Sequence, residues 1–406
     1  MHKKLWNKDY ILLLQASAIS TLGDLMYSVA IGYWVYTQTG SSALMGIMSS
    51  ISMFITMFLS PFCGSIVDKC NRKWIMAGLD AFQGLLMLGV GILAYMNALN
   101  IPIVLIAAVL AAFGSVFYHP AASTLLLDIV PREDLIRGQS IHSGANSLIN
   151  LMGSAFSGAM VAAFGAPLII VANGISNLYS AFSELLIRVP KTIQQGTPVT
   201  PKGILKDMGA ALQTIFADNC LRLFVPCAMI LNLLGAGPMT LMLPFCMEKN
   251  FTVDMYGYLI AVYTAASLIC VLLLGIFKLK PKTRFWIMAI GFTCSVIFFT
   301  GAAFCTKFLP MCILAFLSGF ANSAGNSVFN ASLMLALPEE NRSTILGFIQ
   351  TGSVGGCALS AVIYGFLGEF FPLYLTFAIG NSISLIPMLY LCFHRETKRF
   401  ILNHCN

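Results

Sequence analysis

Long apolar runs constrain this chain more than any other feature of its sequence. Twelve segments of about 20–27 residues are predominantly apolar, the length at which a helix crosses the hydrocarbon core of a bilayer. A membrane barrel would need polar and apolar residues to alternate over roughly 10 positions, and these segments do not alternate. The segments are residues 10–36, 42–67, 74–96, 102–127, 138–163, 167–187, 219–246, 255–277, 284–304, 309–336, 343–368 and 371–393.

Composition leads to the same fold class. The chain is 58% hydrophobic and only 10% charged, whereas soluble domains are about 45–50% apolar and about 25% charged. Because lipid offers no hydrogen bonds to the backbone, the apolar segments must be helical. We therefore predict an all-α membrane protein with twelve transmembrane helices.

The positive charges predict the topology. With the N-terminus in the cytoplasm, 21 of the 23 Lys and Arg residues fall on the cytoplasmic side, and only Lys249 and Lys307 fall outside. Such a bias is typical of the loops of multi-pass membrane proteins. It places both termini in the cytoplasm. The net charge of +7 comes from residues at the ends of apolar runs, so we predict no nucleic-acid partner.

One long polar stretch divides the twelve segments into two sets of six. We predict an N-terminal six-helix bundle over 1–187, a cytoplasmic linker over 188–218, and a C-terminal six-helix bundle with a short cytoplasmic tail over 219–406. Inverted or parallel repeats of this kind are common in transporters, whose two bundles rock about a shared site.

A weak internal repeat supports the two halves. Residues 113–134 align without gaps with residues 320–341 at an offset of 207, so that Pro131 matches Pro338. The same offset pairs His119 with Asn326.

A cluster of charges between the second and third segments stands out in so apolar a chain. The stretch "GSIVDKCNRK" has the spacing G-x-x-x-D-K-x-x-R-K, formed by Gly64, Asp68, Lys69, Arg72 and Lys73. Ordinary cytoplasmic anchoring explains the basic residues. It explains neither Asp68 nor the glycine one helical turn before it.

This pattern resembles the cytoplasmic signature between the second and third helices of the major facilitator superfamily. The resemblance implies two pseudo-symmetric six-helix bundles. It also implies a cytoplasmic gate, in which Asp68 caps and contacts a helix of the other half and Arg72 pairs with Asp128. We expect Asp80, two turns into the third helix, to complete this cytoplasmic ion network.

Three stretches point to a branch of that family. "STLGDLMYSVAIGYWVYTQTGSS" (20–42), "SPFCGSIVDKCNRKWIM" (60–76) and "FYHPAASTLLLDIVPRE" (117–133) resemble drug–proton antiporters of the macrolide-efflux type. Tetracycline exporters of clostridial type are a second match. The fourth segment lacks the membrane arginine of many such antiporters, and the fifth lacks their Gly-Pro.

The resemblance implies a transporter of the bacterial inner membrane that exports an amphipathic tetracycline or macrolide in exchange for protons. We expect a monomer that uses the proton gradient and no cofactor. Two alternatives stay open: a lysophospholipid or glycolipid transporter, and a nutrient importer of the same fold. A non-transporting receptor is a further possibility.

Few ionisable residues lie deep in the predicted membrane segments, and such residues are usually functional. Asp24 lies near the middle of the first segment without a Lys or Arg at its depth, and a desolvated carboxylate favours its protonated form. We predict that Asp24 carries protons, with His119 as a second proton site or a hydrogen-bonding group for substrate. A structural role is the alternative for both. Glu184, near a helix end, is expected to be interfacial.

Amides at helical spacing predict a polar face on two segments. Such stripes either join helices or line a wet cavity. The predicted cavity residues are Tyr27, Tyr118, Asn146, Asn150, Asn322, Asn326 and Asn330.

No pattern for catalysis is present in the sequence. The P-loop spacing G-x-x-x-x-G-K-[ST] does not occur, so we do not expect ATP hydrolysis or any other enzyme activity. The twelve cysteines are scattered and form no C-x-x-C, which predicts neither a metal site nor a disulfide framework.

Overall fold

The computed structural model describes residues 6–69, 71–131, 134–188, 221–276, 281–336 and 342–393, with a few positions between 209 and 217. Most of the predicted linker therefore lies outside the described residues, as do both ends of the chain. The described part consists of helices and the turns that join them.

Fourteen helices follow one another in the described residues. They are α1 (Lys8–Thr39), α2 (Ser42–Lys69), α3 (Arg72–Tyr95), α4 (Ile101–Ile129), α5 (Leu135–Phe164), α6 (Ala166–Leu185), α7 (Leu221–Thr240), α8 (Met242–Glu248), α9 (Val253–Ile276), α10 (Pro281–Phe304), α11 (Phe308–Ala336), α12 (Arg342–Phe370), α13 (Leu373–Ile383) and α14 (Leu385–Phe393).

These helices match the twelve predicted segments. The pairs α7 with α8 and α13 with α14 each correspond to one segment, and every other segment is a single helix. Within the described residues, ten spans are long and apolar enough to cross a membrane, and α5 is an eleventh if its bent halves form one span. The remaining helix, α6, is less apolar because it carries Asn173, Asn177, Ser180 and Glu184. The all-α prediction is confirmed.

Asparagine caps define where several helices begin. The side chain of Asn7 accepts a hydrogen bond of 2.8 Å from the Tyr10 amide at the start of α1. Asn100 does the same for the Ile103 amide at 3.1 Å, at the start of α4. Such caps satisfy amides that have no partner within the helix. At the other end of α1, Gly40 adopts a φ of 65°, the left-handed conformation in which a helix commonly ends.

The chain divides into two compact units. The first comprises residues 1–40 and 54–199, and the second comprises 41–53 and 200–406. Helix α2 therefore contributes its first part to the second unit and its remainder to the first. The predicted boundaries of the two six-helix bundles stay a prediction.

In the first unit, α3 and α6 pack at glycines. A Cβ atom on Gly84 would lie 2.9 Å from the carbonyl oxygen of Gly174, and a Cβ on Gly174 would lie 2.8 Å from the backbone nitrogen of Leu88. Small residues let helix backbones approach closely, which is how helices gain packing energy in lipid. This contact holds α3 and α6 together where both helices carry polar residues.

The second unit also relies on close backbone contacts. A Cβ on Gly46 in α2 would lie 2.3 Å from the carbonyl oxygen of Ala361 in α12. Nearby, the Ser42 hydroxyl donates to the carbonyl oxygen of Gly365 at 2.8 Å. The first part of α2 is thus fastened to α12 by packing and by an interhelical hydrogen bond.

Large apolar side chains cover the outside of the helices. On α3, for example, Leu85 is 64% exposed and Ile92 is 53% exposed, whereas Met76 and Met87 on the same helix are fully buried. In water this arrangement would expose a large apolar surface. Exposed apolar side chains of this kind suit a helix whose outer face contacts lipid.

Helices α4 and α11 reproduce the internal repeat. Each has 29 residues. Their first residues, Ile101 and Phe308, and their last residues, Ile129 and Ala336, are both 207 positions apart. The offset found in the sequence is therefore also the offset between these two helices.

Candidate functional site

Three acidic side chains meet inside the first unit. They come from three helices: Asp24 from α1, Asp80 from α3 and Glu184 from α6. Glu184 is 0% exposed and Asp80 is 5% exposed. The charges of Asp24 and Asp80 are close enough to interact, as are those of Asp80 and Glu184. We call these three residues the acid cluster.

Amides surround the carboxylate of Asp24. Its Oδ1 atom lies 3.4 Å from Nε2 of Gln83 and 3.5 Å from Nδ2 of Asn177. Asn177 is held in turn by Asn173, whose Oδ1 accepts from it at 3.0 Å. The contacts to Asp24 are long for hydrogen bonds, so they are weak partners for a full negative charge.

The carboxylates of Asp80 and Glu184 have fewer hydrogen-bond partners than that of Asp24. The Tyr118 hydroxyl donates to Oε1 of Glu184 at 2.9 Å, and Ser180 lies beside both carboxylates. The second oxygen of each, Oδ2 of Asp80 and Oε2 of Glu184, is buried and has no hydrogen-bond partner among the described residues. A buried carboxylate oxygen without a partner is costly, particularly when it is charged.

No described Lys, Arg or His forms an ion pair with the acid cluster. The described residues also contain no group of three or more His, Cys, Asp or Glu side chains placed to hold a metal ion. Like charges close together in a site of low polarity oppose full ionisation. The chemistry that suits this arrangement is binding and release of protons.

The structure bears on the expectations for two of these acids. Among the described residues Asp80 makes no ion pair with the cytoplasmic network, since it lies eight residues, or about 12 Å of helix rise, beyond Arg72 and is buried against α6. Glu184 lies near the end of α6, as expected, and is fully buried; its position at the membrane interface stays a prediction. A sequence signal for Glu184 was present. Asn173, Asn177, Ser180 and Glu184 recur at intervals of three and four residues, which places them on one face of α6.

Arg72 and Asp128 form an ion pair at the ends of α3 and α4. Nη1 of Arg72 lies 2.5 Å from Oδ2 of Asp128, and the two side chains are 11% and 18% exposed. This is the pairing that the family resemblance implied. Its role as a gate stays a prediction.

The rest of the predicted gate is only partly described. Lys73 is half-buried, and its amide donates to the side chain of Asn71, which caps α3. Gly64, Asp68 and Lys69 belong to α2, but their side chains lie outside the described residues.

Of the remaining predicted residues of the first unit, two tyrosines interact with the acid cluster and the others make contacts elsewhere. Tyr118 contacts the acid cluster through its hydrogen bond to Glu184, and Tyr27 lies near enough to Asp24 to interact with its charge. The exposed ring of His119 makes an edge contact with the ring of Tyr118, at 6.2 Å between centroids. Asn150 donates to the backbone oxygen of Asn146 within α5 at 2.8 Å. None of these contacts tests a role in transport.

A cavity of about 380 Å³ lies within the second unit. Two of the predicted residues, Asn322 and Asn326, line it, whereas the side chain of Asn330 lies outside the described residues. Asn232 and Asn381 line it as well. They were missed because each is a lone amide in an otherwise apolar run. The described lining combines amides and hydroxyls with aromatic rings and carries no charged residue.

The model of the Major Facilitator Superfamily matches residues 13–245 and 224–400. The chain belongs to this superfamily. Its members are membrane transporters rather than enzymes, and they are not a cofactor-binding family. With ten or eleven apolar spans in the described residues, the chain is a multi-pass protein of the bacterial inner membrane.

Curated relatives at low identity include efflux proteins. The chain is 21% identical over 186 residues to macrolide efflux protein A of Streptococcus pyogenes, covering 46% of each chain. It is 27% identical over 220 residues to the multidrug efflux pump Tap of Mycobacterium bovis, covering 52% of each. A putative bacilysin exporter of Bacillus subtilis, BacE, is 26% identical over 185 residues, 43% of each. The chain thus spans about half the length of the curated relatives it matches.

Solved structures share the fold. The nucleoside transporter NupG aligns with a TM-score of 0.73 at 14% identity, covering 93% of this chain and 98% of that one. A bacterial homolog of the human lysosomal transporter Spinster aligns with a TM-score of 0.70 at 14% identity, covering 97% and 95%. At these identities the likeness shows the fold alone.

Proposed function

We propose that this chain exports an amphipathic antibiotic of the macrolide or tetracycline class in exchange for protons, by alternating access and as a monomer. The functions named for the relatives support export: one is a macrolide efflux protein, one a multidrug efflux pump and one a putative bacilysin exporter. A macrolide is the first substrate to test because macrolide efflux protein A is named for a drug of a proposed class.

The acid cluster is the observation that carries the proposed proton coupling. Asp24, Asp80 and Glu184 come from three helices, and no described cation neutralises them. Buried carboxylates are costly in a membrane protein, and those that occur usually belong to a substrate pathway or a proton relay. A proton on the cluster removes one of the like charges, so loading and release of protons would change how strongly α1, α3 and α6 attract one another.

In the proposed cycle, protons that enter from outside load Asp24 while the drug leaves on that side. Release of protons to the cytoplasm resets the site. His119 and the amides Asn146 and Asn150 keep their proposed roles beside this site. Tyr27 and Tyr118, which lie next to the cluster, would sense its charge.

The proposed cytoplasmic gate consists of the Arg72–Asp128 pair together with Gly64, Asp68, Lys69 and Lys73. An exposed ion pair stabilises by roughly 0–1 kcal/mol, and in a partly buried pair the stronger attraction is offset by the cost of desolvating both charges. An ion pair with so small a stabilising free energy can form and break in each transport cycle. The pair is well suited to bias one state without trapping it.

The test uses inverted membrane vesicles with an imposed pH gradient, acid inside. Uptake of labelled erythromycin and labelled tetracycline is followed for the native chain, for Asp24→Asn and for Glu248→Gln, a control at an exposed acid. We expect gradient-dependent uptake in the native chain and the control, and loss of that dependence in Asp24→Asn. No uptake of either drug, with the protein present in the membrane, would reject drug export. Gradient-driven uptake by Asp24→Asn at the native rate would reject the role of Asp24.

A further inference from the structure

Several amide oxygens in the lining of the second unit's cavity are not used by hydrogen bonds among the described residues. Four amides line the cavity, Asn232, Asn322, Asn326 and Asn381, and none of the described lining residues is charged. What these amides present to a ligand depends on which of their atoms are already bonded within the protein.

Backbone carbonyls fix the orientation of three of the amides. Nδ2 of Asn326 donates to the backbone oxygen of Asn322 at 3.1 Å. Nδ2 of Asn381 donates to the backbone oxygen of Val296 at 3.1 Å. Nδ2 of Asn232 donates to the backbone oxygen of Ala228 at 2.9 Å. Because a backbone carbonyl only accepts hydrogen bonds, the NH₂ group must be the one that faces it.

The amide oxygens are therefore left for a ligand. Oδ1 of Asn326 and Oδ1 of Asn381 accept no hydrogen bond from the described residues. Oδ1 of Asn232 receives only a long contact of 3.7 Å from the thiol of Cys357. These oxygens are strong acceptors that a bound group can satisfy only by donating hydrogens.

Two serine hydroxyls in the lining also donate their hydrogens within the protein. Ser384 donates its hydrogen to the backbone oxygen of Asn381 at 2.5 Å, and Ser318 donates to that of Ser295 at 3.0 Å. Ser384 keeps its lone pairs for a ligand, whereas the Ser318 oxygen also lies 3.3 Å from the Ser295 hydroxyl, which can donate to it. Two hydroxyls are exceptions. Tyr263 accepts from Asn322 at 2.9 Å and Ser353 accepts from Asn232 at 3.4 Å, so each retains its own hydrogen to donate.

We propose that this cavity binds an uncharged group rich in hydroxyls, such as a neutral sugar attached to the exported molecule. Hydroxyl hydrogens would satisfy the amide oxygens, and the rings of Phe292, Phe299 and Phe329 in the lining would cover the apolar face of the sugar. A cation would lose its hydration without meeting a carboxylate, and an anion would meet acceptor oxygens. This proposal rests on the proposed function, since it specifies one part of the exported substrate.

The test measures binding without a proton gradient. Purified chain in detergent is titrated with labelled erythromycin and with a labelled derivative that lacks its neutral sugar. We expect the neutral sugar to tighten binding of the native chain by about 3- to 10-fold, the size of one or two hydrogen bonds. Asn326→Leu and Asn232→Leu each remove one acceptor and are expected to lower this ratio toward one. Affinity for the sugar-free derivative should stay near native.

Ser323→Ala is the matched control. Ser323 neighbours Asn322 on α11, but it does not line the cavity, and its hydroxyl donates to the backbone oxygen of Ser267. The control should keep the native ratio. Equal affinity of the native chain for both compounds would overturn the proposal, as would a ratio that neither leucine variant changes. Absence of binding by both compounds, in protein that unfolds cooperatively, would overturn it as well.

Proton-coupled export and the sugar-binding site can be rejected independently of each other. Asp24→Asn should keep the preference for the neutral sugar, because Asp24 does not belong to the second unit. If the sugar preference is present but no pH gradient drives uptake, proton-coupled export is wrong and the binding site stands. If uptake is gradient-driven but the sugar has no effect, only the binding site is wrong.

Discussion

The hydroxyl of Tyr118 on α4 donates a hydrogen bond to Oε1 of Glu184 on α6 at 2.9 Å. This contact joins a helix of the internal repeat to the helix that carries the most polar stripe of the first unit. Since Oε2 of Glu184 has no partner among the described residues, the tyrosine is its strongest described contact. The bond therefore ties the acid cluster to the position of α4.

Removing that bond should destabilise the protein. Tyr118→Phe deletes one hydroxyl and leaves the carboxyl of Glu184 with less hydrogen bonding in a buried site. We expect a loss of about 1–3 kcal/mol in the free energy of unfolding, measured by thermal unfolding in detergent. In a Glu184→Gln background the loss should be smaller, because a neutral amide needs the bond less. An equal loss in both backgrounds would contradict a role of the carboxyl charge.

The contact between α3 and α6 leaves no room for a side chain. Gly174→Ala would place a Cβ 2.8 Å from the backbone nitrogen of Leu88 and 2.9 Å from the oxygen of Gly84. We expect destabilisation of about 1–3 kcal/mol, since backbone atoms must move apart. Gly89→Ala on α3 is the control. No atom lies within 4 Å of its Cβ, and alanine there should be neutral or favourable. The melting temperature of Gly174→Ala should therefore lie below that of Gly89→Ala. Equal melting temperatures would contradict a tight backbone contact at Gly174.

The Arg72–Asp128 pair can be tested by a double-mutant cycle. Arg72→Gln, Asp128→Asn and the double variant should show a coupling of about 1 kcal/mol, because the two side chains are in contact and only 11% and 18% exposed. Unfolding temperature measures the coupling, and vesicle uptake measures the gate. If the pair acts as a gate, each single variant and the double variant should change uptake to a similar extent. Additive effects on both readouts would mean that the two residues act independently.

Lys249 is predicted to hold the end of α10 in place. Its Nζ atom donates to the backbone oxygens of Ala303 at 2.8 Å and Cys305 at 2.5 Å. It also lies 4.9 Å from the ring centroid of Phe245. Lys249→Met should cost about 1–3 kcal/mol, since helix-end carbonyls lose charged donors. Lys307→Met, at an exposed lysine, should leave the unfolding temperature unchanged. Equal melting temperatures for the two variants would show that these bonds do not contribute.

Much of the fold follows from the sequence because the bilayer sets it. Segment length, the distribution of Lys and Arg and the repeat offset predicted helices whose bounds the structure reproduces within a few residues, and α4 and α11 even share the offset of 207. The helix breaks between α7 and α8 and between α13 and α14 were not predicted. Both breaks lie within apolar runs, although Gly235, Gly237 and Pro238 directly precede the first and are residues that favour a helix break.

The site was harder to predict because it depends on which helix faces meet. Asp24 was identified from its depth alone. Glu184 and Asp80 were assigned to helix ends and to the cytoplasmic network, since their positions along the chain do not reveal their neighbours. Only packing of α3 against α6, through Gly84 and Gly174, brings them together. Asn232 and Asn381 were missed for the same reason, as each becomes part of a cavity only when its helix is packed.

The most direct test of the proposed proton coupling counts protons. Erythromycin is added to purified chain in weakly buffered detergent solution near neutral pH, and the change in pH is recorded. If drug and protons compete through the acid cluster, drug binding releases protons in the native chain, and Asp24→Asn combined with Glu184→Gln releases markedly fewer. Drug binding with no proton release in the native chain, or with equal release in the variant, would contradict coupling through this cluster.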